Sequence, residues 1–315
     1  MKMKMHMKTA VVGGGMIGLS QCVLLSCNRV PVTLYVHRDP EKKKKQYLNI
    51  LRELMWAGVL TSQKMEWCAS YLEITTRYED LAGARVVFEC ALEDLKIKEE
   101  IYKALHKSCP DLQAVVSSTS AISSEELAEH SPMPEKVFVA HPFYPPHLVR
   151  CVEVVTSSRT SPEALRIVMD LLKWLGREVV ILKKDAPGFI VNRIQYAMLR
   201  EAVHIVEQGI ADPEDVDRAL RFSIMPRYTQ IGLFEHFDNC GLDLARTISS
   251  YLFPSLAADQ GPGSYVNEHC RLGQTGVKSG QGTYRWDKKA VEELKERTQK
   301  PYIRQIDWHL PEGPA

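Results

Sequence analysis

The sequence predicts an α/β fold in which a doubly wound parallel sheet is followed by an all-helical domain. Between residues 9 and 184, short β-branched runs alternate with longer amphipathic stretches, which is the pattern of repeated βαβ units. A glycine-rich turn follows the first run, at residues 13–18. After residue 186 the β-branched runs stop and apolar residues recur at helical spacing. We therefore expect a sheet domain over 1–186 and a helical domain over 187–315.

The β-branched runs and the amphipathic stretches give the expected strands and helices of the sheet domain. The predicted strands are 10–12, 32–35, 86–89, 114–117, 137–140 and 179–182. The predicted helices are 18–27, 41–56, 96–107 and 162–176. Because helices separate the strands, we expect parallel pairing throughout.

The second domain is predicted to be helical throughout. Residues 189–208 form one long segment of apolar period. Asp212 and Pro213 indicate a helix start, since Asp can cap a helix and proline at the first helical position gives up no needed N–H. The tail over 298–315 contains three prolines and is expected to be an irregular extension of this domain.

Composition excludes several classes of protein. The chain is 45% hydrophobic and 25% charged, as soluble globular proteins are, and 40 Lys+Arg balance 39 Asp+Glu. We therefore expect no nucleic-acid or membrane partner drawn by overall charge. No apolar run approaches the ~20 residues that cross a bilayer, and the basic N-terminus leads straight into glycines rather than a signal-peptide core. A cytoplasmic location is expected, and eight scattered cysteines predict free thiols and no metal site.

The glycine-rich turn predicts a dinucleotide site. It follows a β-branched run and has the spacing Gly13-x-Gly15-x-x-Gly18. Gly13 permits the tight turn, Gly15 lets a diphosphate approach the backbone, and Gly18 lets helix and strand pack closely. The helix that begins at Met16 and Ile17 would place its positive N-terminus on the diphosphate.

The end of the second predicted strand indicates NADP(H) rather than NAD(H). A protein that binds NAD usually has Asp or Glu at this position to bond the adenosine ribose, whereas this chain has Val36. His37 and Arg38 follow, where a 2′-phosphate would lie, and lysines occupy 42–45. The alternative is that the lysines are a solvated helix face and that Asp39 bonds the ribose of NAD(H).

Six ordered segments behind this turn resemble the 3-hydroxyacyl-CoA dehydrogenase superfamily. They are Glu93-Asp94-Leu95-Lys96-Ile97-Lys98, Ser117-Ser118-Thr119-Ser120, His141-Pro142-Phe143-Tyr144-Pro145-Pro146, Val152-Glu153-Val154-Val155, Pro187-Gly188-Phe189-Ile190-Val191-Asn192-Arg193 and Gly276 to Tyr284. The resemblance implies a Rossmann-type domain, a helical domain that forms a homodimer, and hydride transfer between a secondary alcohol and a nicotinamide. It also assigns Glu93 and Lys98 to a loop that touches the nicotinamide side of the cofactor.

The same resemblance assigns the catalytic residues. His141 matches the family's catalytic histidine and Glu153 its carboxylate partner, while Ser120 and Asn192 match the residues that bond the reacting oxygen. The chemistry is consistent, because alcohol oxidation leaves a proton to be removed and the histidine pKa ordinarily lies near working pH. A carboxylate on the other ring nitrogen would set the tautomer and stabilise the imidazolium.

Two departures from the family's pattern concern the substrate. Tyr144 stands where asparagine is usual. Its His-Pro-x-x-Pro-Pro string resembles the branch that contains L-gulonate 3-dehydrogenase, lambda-crystallin and carnitine dehydrogenase, whose substrates are small polar acids without CoA. The segment 225–232 is longer and more polar than in the acyl-CoA enzymes, and its Arg227 could clamp a substrate carboxylate.

The expected function is an NAD(P)-dependent oxidoreductase that transfers a hydride to or from a 3-hydroxy or 3-oxo small polar acid, with NADP(H) preferred. Tyr144 is included among the expected substrate contacts. The first alternative is a short-chain 3-hydroxyacyl-CoA dehydrogenase, with the lysine run holding CoA phosphates. Two further alternatives are an imine reductase, raised by Tyr144, and a cofactor-binding protein without catalysis.

Overall fold

The computed structural model describes residues 7–315; residues 1–6, which begin the predicted first domain and hold much of the basic N-terminus, lie outside the described residues. The described chain divides into two compact units. The first runs to Ile190 and resumes at Arg297–Ala315, and the second is Val191–Glu296.

The first unit is built on one eight-stranded sheet with the order β3-β2-β1-β4-β5-β6-β7-β8. The strands are β1 Thr9–Val12, β2 Val32–Tyr35, β3 Leu72–Thr75, β4 Val86–Glu89, β5 Ala114–Ser117, β6 Val137–Pro142, β7 Cys151–Val155 and β8 Glu178–Ile181. Strands β3 and β7 are both absent from the strands predicted above. The four residues of β3 carry only a weak β-branched signal, and Glu153 interrupts the valines of β7. Parallel pairing of β1 with β2 and β4, and of β4 with β5 and β5 with β6, is confirmed.

Helices cover both faces of this sheet, as expected for a doubly wound fold. They are α1 Met16–Cys27, α2 Pro40–Trp56, α3 Ser62–Ser70, α4 Leu95–Ser108, α5 Ser124–Glu129 and α6 Pro162–Trp174. Alternate strand residues enter two separate cores: Val11 and Val86 pack in one, and Ala10, Val12 and Val87 in the other. Burial on both faces explains why the central strands β1, β4 and β5 are nearly continuous apolar runs.

Strand direction differs from the prediction at one end of the sheet. β7 runs antiparallel to β6, and β8 is parallel to β7, so the sheet is mixed rather than wholly parallel. The reason is the length of the connection, since residues 143–150 are too few for the crossover of a dozen or more residues that parallel pairing needs. Antiparallel register places His141 directly opposite Glu153.

The C-terminal tail packs with the sheet unit rather than with the second domain to which the sequence assigned it. Arg29 Nε donates to the Leu310 carbonyl at 2.7 Å, and the His309 N–H donates to Asn28 Oδ1 at 2.9 Å. The tail's apolar residues pack on the core that contains Val11 and Val86; they are Ile303, Ile306, Trp308 and Leu310. These side chains gain burial there, which explains why the tail joins the sheet unit and not the helical domain.

The second unit is helical, as predicted. Its helices are α7 Val191–Glu207, α8 Pro213–Phe222, α9 Ile224–Tyr228, α10 Leu233–Cys240, α11 Leu242–Leu252 and α12 Gly263–Arg271; α13, Lys288–Ile303, continues from this unit into the tail. The predicted helix start at Pro213 after Asp212 is confirmed. Over residues 7–315, no helix combines the length and apolarity needed to span a membrane. Within the same residues, no cluster of three or more His, Cys, Asp or Glu side chains is arranged to hold a metal ion.

Candidate active site

A buried histidine–carboxylate pair lies where the end of β6 pairs with the middle of β7. His141 Nδ1 is 3.1 Å from Glu153 Oε2. His141 is 7% exposed and Glu153 is 0% exposed. The backbone N–H of Ile190 donates to the other carboxylate oxygen, Oε1, at 2.9 Å. With Nδ1–H donating to Glu153, the neutral imidazole keeps Nε2 as an acceptor on its opposite side. The pair can therefore take a proton at Nε2 and stabilise the resulting imidazolium.

Two aromatic rings surround the imidazole and limit its rotation. The ring of Phe143 meets His141 edge-on, with centroids 4.9 Å apart, and the ring of Phe189 is tilted against it at 5.3 Å. Phe189 is buried and belongs to the sheet unit. These contacts restrict water around Nδ1 and hold the imidazole plane toward Glu153.

Ser120 lies in the turn that follows β5. Because β5 and β6 are parallel neighbours, their carboxyl ends share one edge of the sheet, which places the Ser120 turn and His141 at the same edge. Glu93 builds this turn: its Oε1 accepts from the N–H groups of Ser120 and Ala121 at 3.1 and 3.0 Å, and from the hydroxyl of Thr119. The N-cap of α5 is Ser123, which leaves the Ser120 hydroxyl outside that capping role.

Lys98 does not present its ammonium to solvent, although the family pattern places it against the cofactor. The residue is 0% exposed, and Nζ donates to Glu89 Oε1 and Oε2 at 2.9 and 2.7 Å. Glu93 Oε2 is 3.8 Å from the same nitrogen. Lysine is rarely buried without a carboxylate partner, and Glu89 is that partner here. Through its ammonium, Lys98 also stabilises the carboxylate of Glu93, which shapes the Ser120 turn. Direct contact between Lys98 and the cofactor stays a prediction.

Glu89 is a functional-site neighbour that sequence reasoning missed. It ends β4, and its carboxylate also accepts from the Ser117 hydroxyl at 2.6 Å and from the Ala91 N–H at 2.7 Å. Burial, and then the nearby Glu89 charge, raise the pKa of the Tyr102 phenol, whose hydroxyl donates to Glu89 at 3.4 Å. A glutamate within an otherwise apolar strand was the available signal, and the same signal marks Glu153 in the middle of β7.

The glycine turn has the shape that a diphosphate requires. Gly13 has a φ of +112°, and a Cβ on it would lie 2.4 Å from the Cys90 carbonyl oxygen. A Cβ on Gly18 would lie 1.9 Å from the Gly13 carbonyl oxygen, whereas one on Gly15 would meet nothing within 4 Å. Gly15 is the N-cap of α1 and no side chain caps that end. The open side at Gly15, Met16 and the N–H groups beyond it fit a dinucleotide diphosphate.

The ribose end of this site carries no acceptor at the usual position. Val36 is buried, while His37, Arg38 and Asp39 are exposed. Asp39 has a φ of 55°, in the left-handed region that Asp tolerates better than most residues. The end of β2 therefore offers a nicotinamide dinucleotide two side chains that can carry positive charge, His37 and Arg38, directly after the buried Val36.

The loop that carries Tyr144 is anchored at its far end. Arg177 Nη1 donates to the carbonyl oxygens of Pro146 and Val149, both at 3.0 Å, and burial lowers the pKa of Arg177 to about 10. His147 Nδ1 is 2.6 Å from the Ser20 hydroxyl on α1. Tyr144 itself is 62% exposed, so its phenol is available to a substrate while the loop beyond it is held.

Asn192 and Arg227 belong to the second unit. That they contact the substrate stays a prediction. Asn192 is the second residue of α7. Arg227 lies on α9 with an exposed side chain, and its Nη1 donates to His236 Nε2 at 3.0 Å.

Comparison with known proteins gives matches over both units. The model of the 3-hydroxyacyl-CoA dehydrogenase NAD binding domain matches residues 8–186, and that of the C-terminal domain matches 188–286. A 5-formyl-3-hydroxy-2-methylpyridine 4-carboxylate 5-dehydrogenase of Mesorhizobium japonicum is 34% identical over 215 residues, 67% of this chain and 70% of that protein. The human lambda-crystallin homolog is 31% identical over 230 residues, 71% and 72% of the two chains. An L-carnitine dehydrogenase of Pseudomonas putida is 34% identical over 184 residues, 58% and 57%.

A solved structure gives the same result. The crystal structure of a 5-formyl-3-hydroxy-2-methylpyridine 4-carboxylic acid 5-dehydrogenase, described as an NAD+ dependent dismutase, has a TM-score of 0.84 and 27% identity, covering 95% of this chain and 96% of that one. The chain therefore belongs to the 3-hydroxyacyl-CoA dehydrogenase family and is a nicotinamide-dependent oxidoreductase.

Proposed function

We propose that the chain interconverts a 3-hydroxy and a 3-oxo small polar acid, with His141 and Glu153 as the acid–base pair. The observation that carries this proposal is the 3.1 Å contact across the antiparallel β6–β7 pair, where a buried carboxylate holds Nδ1 of the imidazole. A nicotinamide cofactor, when bound, would supply the hydride chemistry. The protein supplies the proton transfer and the stabilisation of charge on oxygen.

Each residue then has a defined task in alcohol oxidation. His141 Nε2 takes the hydroxyl proton, and Glu153 stabilises the imidazolium that forms. The Ser120 hydroxyl donates to the reacting oxygen, and Asn192 contributes a second donor. By analogy with the deletion of oxyanion donors, each of these hydrogen bonds is worth about 2–4 kcal/mol in the transition state.

The substrate proposal rests on the departures at Tyr144 and Arg227 and on the relatives. Two relatives are named for carnitine and for a pyridine carboxylate, and both of those compounds carry a carboxylate. Free small acids are therefore favoured over acyl-CoA thioesters. Short-chain acyl-CoA stays the second candidate, because a 3-hydroxybutyryl-CoA dehydrogenase of Clostridioides difficile is 27% identical over 90% of this chain and all of its own length.

A substrate panel tests this choice. We expect reduction of free 3-oxo acids to exceed that of acetoacetyl-CoA by at least about tenfold in kcat/KM, because the site would clamp a carboxylate close to the reacting carbon. Each compound is measured with NADH and NADPH, and a pyridine carboxylate bearing an aldehyde is included. Preference for acetoacetyl-CoA would support the acyl-CoA enzyme instead, activity on cyclic imines would support an imine reductase, and no turnover on the whole panel would support a non-catalytic protein.

Arg227→Ala tests the carboxylate clamp. We expect KM for an acidic substrate to rise about 10- to 100-fold, because a guanidinium–carboxylate pair is lost. Arg218→Ala is the matched control, since Arg218 is also exposed in this unit but pairs with Asp215 at 3.0 Å. An unchanged KM and kcat in Arg227→Ala would remove this arginine from the site.

NADP(H) is proposed as the preferred cofactor, with NAD(H) as the alternative. The support is the buried Val36 where a ribose acceptor would stand, followed by exposed His37 and Arg38. If NAD(H) is preferred, Asp39 is the carboxylate next in the chain that could bond the ribose.

A homodimer and a cytoplasmic location complete the proposal. Helices of the second unit expose large apolar side chains, among them Tyr196, Phe222, Phe234 and Tyr251, each 66–87% exposed. Such surfaces mark association sites, and sedimentation equilibrium measures whether the mass is twice 35.7 kDa. The eight cysteines are free thiols, as suits a reducing compartment.

A further inference from the structure

One lysine of the run 42–45 differs from its neighbours. Lys43 is half-buried, whereas Lys42, Lys44 and Lys45 are exposed. All four belong to the first turns of α2, which follows directly after β2 and residues 36–39. Successive helical residues point about 100° apart, so four consecutive side chains point in different directions around the helix. Only the half-buried one of the four faces the protein, at the end of β2. That residue is Lys43.

The Lys43 side chain lies against the glycine turn. A Cβ on Gly14 would be 3.1 and 3.2 Å from Cδ and Cε of Lys43, and 2.8 Å from Cγ1 of Val36. Gly14 leaves room for the lysine stem to lie between the turn and the end of β2. The ammonium is one bond beyond Cε, so it lies next to the point where the turn and β2 meet.

The charge around this ammonium favours an anion. No ion pair involves Lys43 among residues 7–315, so its charge is not committed to a carboxylate. Val36 offers no acceptor, and the next two residues, His37 and Arg38, are exposed and carry hydrogen-bond donors. We propose that Lys43 binds the 2′-phosphate of NADP(H) and is the main residue that discriminates it from NAD(H). This proposal rests on the cofactor preference proposed above.

The position of Lys43 distinguishes the 2′-phosphate from the diphosphate. The diphosphate belongs at Gly15 and the N-terminus of α1, where a Cβ would meet nothing within 4 Å. Lys43 lies on the other side of the turn, at Gly14, where an added Cβ would also meet Val36. The carboxyl end of β2 is where the adenosine ribose and its 2′ substituent lie in this class of site. A lysine there meets the phosphate that only NADP(H) carries.

The test is calorimetric binding of 2′,5′-ADP and 5′-AMP, followed by NADPH and NADH, to the full chain. We expect wild type to bind 2′,5′-ADP at least about tenfold more tightly than 5′-AMP. In Lys43→Gln this ratio is expected to fall by about 10- to 100-fold, the effect of losing one charge-assisted hydrogen bond. Lys43→Arg is expected to keep most of the ratio, because the positive charge remains.

Lys44→Gln is the matched control. Lys44 is the next residue of the same helix, but it lines a different surface cavity with Thr33, Glu73 and Asp80, and its replacement is expected to leave the ratio unchanged. If the ratio of affinities for 2′,5′-ADP and 5′-AMP is unchanged in Lys43→Gln but lost in Arg38→Gln, the assignment to Lys43 is overturned. Equal losses for both nucleotides in Lys43→Gln would assign the lysine to another phosphate and also overturn it. A wild-type ratio near one would instead refute the NADP(H) preference itself, and the role of Lys43 with it, while leaving the oxidoreductase function intact.

Discussion

Replacing His141 by alanine is expected to lower kcat by about 10²- to 10⁴-fold, because the imidazole is the proposed proton acceptor in alcohol oxidation. The residue is 7% exposed and Glu153 Oε2 lies 3.1 Å from its Nδ1, so alanine removes the acceptor at Nε2 and leaves the carboxylate without this partner. Steady-state kinetics on the best substrate of the panel measure the change. Fluorescence of the bound reduced cofactor measures its Kd separately.

The control for this variant is His106→Ala. His106 is exposed near the end of α4, so its loss should leave turnover unchanged. A His141→Ala enzyme that keeps its kcat within about fivefold of wild type, while binding cofactor normally, would exclude His141 as the general base. Loss of cofactor binding together with turnover would show a structural role instead.

Glu89→Gln is expected to lower the free energy of unfolding by about 3–5 kcal/mol, because it leaves the Lys98 ammonium charged and buried without its carboxylate. Both residues are 0% exposed, and the two Nζ–oxygen distances are 2.7 and 2.9 Å. Urea unfolding followed by circular dichroism measures the change through the midpoint and slope. The double variant Glu89→Gln/Lys98→Met is expected to recover a large part of the loss, since the uncompensated charge is removed.

The surface of the same helix offers a control for this pair. Glu100 is exposed and pairs with Lys103 at 3.0 Å, and Glu100→Gln is expected to leave the midpoint unchanged because exposed pairs contribute little. A Glu89→Gln protein as stable as wild type would show that the buried pair does not hold the sheet unit together. Because Lys98 also lies 3.8 Å from Glu93, the unstable variant should bind cofactor less tightly even where it stays folded.

Local patterns were sufficient for much of the sheet unit. The strands 32–35, 86–89 and 114–117 have the bounds that their β-branched runs predict, and the glycine turn has the tight geometry at Gly13 and Gly18 that its spacing predicts. These features depend on backbone sterics and on the burial of adjacent side chains. Both are properties of short segments, so a single sequence records them.

Long-range pairing was harder to predict. The direction of β7 depends on how segment 143–150 turns the chain, although its shortness was a usable signal against parallel pairing. The burial of Lys98 could not be expected from its position in an amphipathic helix, because lysine is rarely buried without a partner and that partner, Glu89, ends a different strand. The tail was placed wrongly because its apolar residues show no regular period.

The order of residues along the chain by itself determined the alternation of strands and helices, the dinucleotide turn and the set of candidate catalytic side chains. Folding alone decided that His141 faces Glu153, that Glu93 shapes the Ser120 turn, and that Lys43 rather than Lys44 lies on Gly14. The physical reason is that backbone preferences act between neighbours in sequence, whereas hydrogen bonds and charge pairs act between neighbours in space. Strand register and helix rotation set which residues become neighbours in space.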